Sequence, residues 1–126
     1  MERFFWICVA GAAGTGTRYL VALWAARQFG TNFPYGTLIV NLAGCFAIAT
    51  LMQLGAAVVW SPTIRLALTV GFIGGLTTYS SFNYETSRLA QEGAVGAAAA
   101  NVLVTLLGGF VAGWGGWLCS RQLLGE

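Results

Sequence analysis

Histidine, lysine and aspartate are absent from this 126-residue chain. Without histidine the chain lacks the side chain that most often serves as general base or metal ligand near neutral pH. Its basic residues are six arginines spread from Arg3 to Arg121, so no basic patch is available for nucleic acid. The acids are four glutamates: Glu2, Glu85, Glu92 and Glu126. Charged residues make up 8% of the chain, against about 25% in soluble domains. Cys8, Cys45 and Cys119 lack the paired spacing of a zinc or redox motif and are expected to be buried, inert thiols. GAAGTGT, from Gly11 to Thr17, has no GK[ST] ending and no preceding strand, which excludes a phosphate loop; close helix packing accounts for its glycines. With no histidine or aspartate, no organised cysteines and no loop able to hold a substrate, an enzyme is not expected.

Apolar sequence is what the chain has in abundance. Hydrophobic residues form 57% of it, and the mean hydropathy is +0.73. So short a chain cannot bury that much apolar surface in a core of its own. The composition predicts an all-α integral membrane protein, a single multi-pass domain over residues 1–126. Four stretches approach the ~20 residues needed to cross a bilayer: 4–27, 37–60, 64–88 and 94–120. Turn-forming or polar residues separate them: GTNFPYG, SPT and AQEG. Arg18 interrupts the first stretch and no cleavage site follows, so that stretch is expected to remain as a membrane helix. Trp6, Trp24, Trp60 and Trp117 fall near span ends, where indoles anchor at the interface.

Orientation in a membrane follows arginine and lysine asymmetry across the loops. With four spans, one side holds Arg3, Arg65 and Arg121, and the other holds Arg27 and Arg88, with Arg18 in the far half of span one. So even a distribution favours insertion in both directions, with oppositely oriented copies pairing, over the other reading, that a further signal fixes one topology. Four short helices also enclose too little volume for a pore. The small-xxx-small pairs Gly71/Gly75 and Gly109/Gly113 fit a homo-oligomer.

GFIGGLTTYSSF, from Gly71 to Phe82, places two adjacent glycines and four hydroxyl residues in an otherwise apolar span. Hydrocarbon cannot satisfy backbone polar groups, so a loosened helix at membrane depth must be buried in protein or line a wet cavity. Transporters hold ions at such breaks. The third helix is therefore predicted to break near Gly74–Gly75. Other polar residues each admit two readings. Arg18 either draws an anion into a vestibule or snorkels to the interface. Asn41 either donates to an ion or bonds a neighbouring helix. Tyr79 and Phe82, three apart on one face, either offer positive ring edges to an anion or simply pack. Glu85 either tunes the mouth of a polar pathway or pairs with Arg88 at the helix end.

Four segments carry a resemblance along nearly the whole chain: GTGTRY (Gly14 to Tyr19), PYGTLIVNLAGCF (Pro34 to Phe46), RLALTVGFIGGLTTYSSF (Arg65 to Phe82), and the following Glu85. Their order and spacing resemble the CrcB/Fluc family of fluoride channels. The resemblance implies an antiparallel, dual-topology homodimer in the bacterial plasma membrane, with two pores at the subunit interface. It implies passive export of cytoplasmic fluoride, which protects the cell from hydrogen fluoride that enters as a neutral acid and ionises inside. By the same resemblance Asn41 is a pore donor and Tyr79 and Phe82 are the paired pore aromatics. Ser80, Ser81 and Thr105 form a polar track, Arg18 is the vestibule arginine, and Glu85 is the carboxylate near the pore end. Gly74 and Thr77 would bind a central sodium ion through their backbone carbonyls. Two positions depart from the pattern: Tyr79, where the family usually has phenylalanine, and Asn101, where some relatives have tyrosine. A small dual-topology exporter of hydrophobic cations is the alternative; it would need an acid deep in a helix, which this chain lacks.

Overall fold

A computed structural model gives the architecture. It describes residues 1–58 and 60–125; Val59, inside the expected second span, and Glu126 lie outside the described residues. Every regular element among the described residues is a helix, without strands. Helix α1 runs Glu2–Phe29 and α2 runs Tyr35–Ala57. A composite third element, α3, covers 62–76: an α-helical turn Pro62–Leu66, a π-helical stretch Ala67–Ile73, and a last turn Gly74–Leu76. Helix α4 spans Tyr79–Gln91 and α5 spans Val95–Leu124.

Two of these helices, α2 and α5, are long and apolar enough to cross a membrane among the described residues. The other two expected spans differ for visible reasons. At 28 residues α1 is long enough, about 42 Å at 1.5 Å per residue, but Arg18 and the Gly/Thr run at 14–17 dilute its apolar character. The third is not one helix: Thr77 and Thr78, between α3 and α4, are extended. The sequence places this break at Gly74–Gly75. Those glycines are helical, and the interruption comes just after them.

The glycines serve a different purpose. A Cβ on Gly14 would overlap the Phe72 carbonyl, and one on Gly75 would overlap the Gly11 carbonyl. One on Gly71 would stand 2.7 Å from the Ile7 carbonyl oxygen. Helices α1 and α3 thus cross backbone to backbone, and Thr15 Oγ1 donates to the Gly75 carbonyl there at 3.5 Å. Gly109 and Gly113 likewise face Cys45 on α2. The Gly71/Gly75 pair is therefore taken up by the crossing with α1, whereas Gly109 and Gly113 make only ordinary contacts with Cys45. On α5, Gly116 packs against the Phe46 carbonyl, and Thr50 Oγ1 bonds both Phe46 O and Gly116 O.

The buried core is small: Val40, Ile73 and Leu76, packed by Val21, Ala47, Ile48, Leu51 and Phe72. Many large apolar side chains point outward instead, including Phe110 (79% exposed) and Val111 (72% exposed) on α5. Isolated exposed apolar residues are ordinary, but a surface this apolar fits lipid or protein rather than water. The three cysteines are free, but none is buried as expected: Cys8 is exposed on the outward face of α1, and Cys45 and Cys119 are half-buried. Since the α1–α3 crossing has no room for a Cβ, Gly75→Val is expected to abolish folded protein in size-exclusion chromatography of a detergent extract. Gly16→Ala, which enters open space, is expected to elute as the unmodified chain does.

Candidate functional site

The break between α3 and α4 leaves backbone groups that need partners. Thr77 N–H and Thr77 Oγ1 both donate to the Ile73 carbonyl, each at 3.0 Å. Thr78 finds its partner on another helix: its N–H donates to Asn41 Oδ1 at 2.8 Å, while Asn41 Nδ2 donates to the Thr78 carbonyl at 3.0 Å. The amide orientation follows from these partners, since the N–H can only donate and the carbonyl can only accept. Asn41 thus behaves as a short piece of strand laid against Thr78. One turn earlier on α2, Thr37 Oγ1 donates to Glu85 Oε1 at 2.9 Å, so one face of α2 grips α4 at two levels.

Thr78 also caps α4. Its Oγ1 accepts from Ser81 N–H at 3.2 Å and donates to Ser81 Oγ at 3.1 Å. Its proton is then committed, so the contact with Ser80 Oγ at 3.2 Å has Ser80 as donor. These side-chain bonds have a consequence for the backbone. In a continuous helix Gly74 O would accept from Thr78 N–H, and Thr77 O from Ser81 N–H. Asn41 and the Thr78 hydroxyl take both donors. The Gly74 and Thr77 carbonyls are left without their helical partners.

These groups meet in two grooves. The larger, about 590 Å³, is lined by Asn41, Gly74, Thr77, Tyr79, Phe82 and Thr105 among others. The Tyr79 and Phe82 rings lie 5.7 Å apart, inclined by 51°. Phe82 is buried at 8% exposure, whereas Tyr79 is 77% exposed in the single chain. Thr105 Oγ1 is buried with no partner. The smaller groove, about 450 Å³, gathers Ser80, Ser81, Tyr84, Glu85 and Arg88. Glu85 Oε2 is also buried and unpartnered. Of the residues that the resemblance assigns to the ion pathway or the sodium ion, Arg18 alone lines neither of these two grooves. It is half-buried on α1.

Two further corrections follow. Glu85 does not pair with Arg88: its partner is Thr37, and the Arg88 guanidinium lies 3.6 Å from Glu92 instead. On a helix the i,i+4 pair Arg88/Glu92 competes well with Glu85/Arg88 at i,i+3, and Thr37 already holds Glu85 toward α2. Thr37 and Thr86 support the site yet attract no notice in the sequence. Thr37 has a legible signal, since it stands four residues before Asn41 on the same face. Thr86 becomes visible only once α4 and α5 are packed together.

The chain matches, over residues 5–117, the family model described as CrcB-like protein, Camphor Resistance (CrcB). It is 46% identical over 125 residues to a protein of Sorangium cellulosum (strain So ce56) named fluoride-specific ion channel FluC, covering 98% of each chain. It is 47% identical over 127 residues to the protein of the same name from Anaeromyxobacter sp. (strain K), covering 99% of this chain and 100% of that relative. By both measures the chain belongs to the CrcB family of ion channels and is not an enzyme.

Proposed function

We propose that this chain is a subunit of a fluoride-selective channel that lets cytoplasmic fluoride leave the cell passively. The observation that carries the reading is the larger groove, where hydrogen-bond donors without partners lie beside aromatic rings in an otherwise apolar setting. Fluoride is small and tightly hydrated, so a pathway must replace its water with donors. One amide hydrogen of Asn41 is committed to Thr78 O, and the second is available to the groove that Asn41 lines. Thr105 has an unspent hydroxyl there. In the smaller groove Ser81 accepts from Thr78 and keeps its own proton for another partner. Ring edges of Tyr79 and Phe82 carry partial positive charge and tolerate an anion that their faces repel. Such donors hold fluoride stepwise, and a narrow path excludes the larger chloride.

The assembly belongs to the same proposal. Four spans cross the plasma membrane, α3 and α4 together forming the third. Each groove is open on one side in a single chain, and the near-even arginine distribution supports a partner inserted the opposite way. An antiparallel homodimer would then hold two pathways, with lipid around the outside and Arg18 drawing anions toward an entrance. A sodium ion fits the donor set at the break. The carbonyls of Gly74 and Thr77 lack their helical donors and line the groove, and hard cations favour such unwound peptide oxygens. Two copies on a two-fold axis would supply four oxygens. When bound there, the cation would offset the partial negative charge of those oxygens.

Liposomes loaded with potassium fluoride and containing the purified protein test the reading. With a potassium ionophore present, fluoride efflux without chloride efflux is expected; proton-driven uptake of an organic cation would favour the exporter instead. Phe82→Ile is expected to lower fluoride flux with assembly intact. Asn41→Ala removes both a donor and the clamp on Thr78. Stranding the Thr78 N–H and carbonyl at about 1–3 kcal/mol each should lower the melting temperature as well as the flux. Full flux in both variants would remove these residues from the pathway.

A further inference from the structure

Asn101 is 1% exposed in the second turn of an apolar helix, α5. A buried amide there is costly unless bonded. Its Nδ2 lies 2.8 Å from Thr86 Oγ1, and Thr86 Oγ1 lies 2.7 Å from the carbonyl oxygen of Phe82. The direction of this relay is fixed. A carbonyl only accepts, so Thr86 spends its single proton on Phe82 O. Its oxygen can then only accept, so Asn101 must present its N–H. Donation into the hydroxyl polarises it and strengthens the bond that it makes to Phe82. The relay ends on the backbone of the buried aromatic in the larger groove. Four residues along the same face of α5 stands Thr105, a residue of that groove whose hydroxyl is buried with no partner among the described residues.

We propose that Asn101 is a positioning residue that sets the place of Phe82 in the anion pathway, acting through the Thr86 hydroxyl. The inference rests on the channel reading above. A purely adhesive bond between α4 and α5 would serve equally well anywhere along the two helices. This one ends on the carbonyl of a residue that lines the groove, and α5 brings Thr105 to the same groove from the other side. A change in the relay therefore alters the gap between ring and hydroxyl, which the anion must pass.

Fluoride efflux from proteoliposomes tests the proposal, with the elution volume of the assembled protein measured alongside. Asn101→Leu and Thr86→Val are each expected to slow efflux about tenfold, the loss set by one hydrogen bond, with elution unchanged. The double variant is expected to be no slower than the slower single one, because both changes cut one relay. Thr86→Ser, which restores a hydroxyl, is expected to recover most of the rate lost in Thr86→Val. Unmodified rates in Asn101→Leu and Thr86→Val, additive losses in the double variant, or a Thr86→Ser protein as slow as Thr86→Val would overturn the proposal. If Asn101→Leu does not assemble, the Thr86→Val and Thr86→Ser pair decides alone. Absence of efflux from the unmodified protein would overturn the channel reading itself, whereas conducting protein with equally conducting variants overturns only the role of Asn101.

Discussion

Two hydrogen bonds between the Asn41 amide and the Thr78 backbone hold the rest of the site in place. In an apolar medium a broken helix persists only where other groups take over the lost backbone bonds. Asn41 does this from α2 with both ends of its side chain. By occupying the Thr78 N–H it also keeps the helix from closing over the gap. The Gly74 carbonyl then lacks its helical donor, and the Thr78 hydroxyl, capping α4, takes the donor of the Thr77 carbonyl in the same way. An interrupted helix, a capped restart and two oxygens without their helical donors thus share one origin.

Packing supplies the frame for that clamp. Glycines bring α1 against the π-helical part of α3 at backbone distance, and Gly44 on α2 leaves space for the Thr77 methyl group. The frame carries little apolar core, so side-chain hydrogen bonds between helices have unusual weight. Thr37 holds Glu85, Asn41 holds Thr78, and Asn101 reaches Phe82 through Thr86. Helix α4 is gripped from α2 on one side and from α5 on the other. Phe82 is buried there while Tyr79 stays exposed, and the outer faces remain apolar.

Much of this was legible in the sequence because it depends on composition and on i,i+3 or i,i+4 spacing. The all-helical architecture and the interruption in the third span follow from hydropathy and from the Gly/Thr/Ser content of 71–82. Asn41, Tyr79, Phe82 and Thr105 do converge on one groove. What depends on register between helices was not legible. The break falls at Thr77–Thr78 rather than Gly74–Gly75 because the decisive partner, Asn41, comes from another helix. The π-helical stretch has no composition signal; its wider turn arises where α3 meets α1. Glu85 pairs with Thr37 rather than Arg88 for the same reason, and Gly71 and Gly75 are taken up by the crossing with α1 in the same chain. Arg18 is prominent in the sequence because it is charged, yet it stands apart from both grooves.

An open groove with peptide oxygens that lack their helical donors is ill suited to lipid; at membrane depth it lies against protein or lines a wet cavity. The proposed cover is a second copy inserted upside down. Labelling the N-terminus with a membrane-impermeant reagent, in intact cells and in inverted vesicles, tests this most directly. Comparable labelling from each side, about half of the copies, is the expected result. Labelling of every copy from one side only would contradict it.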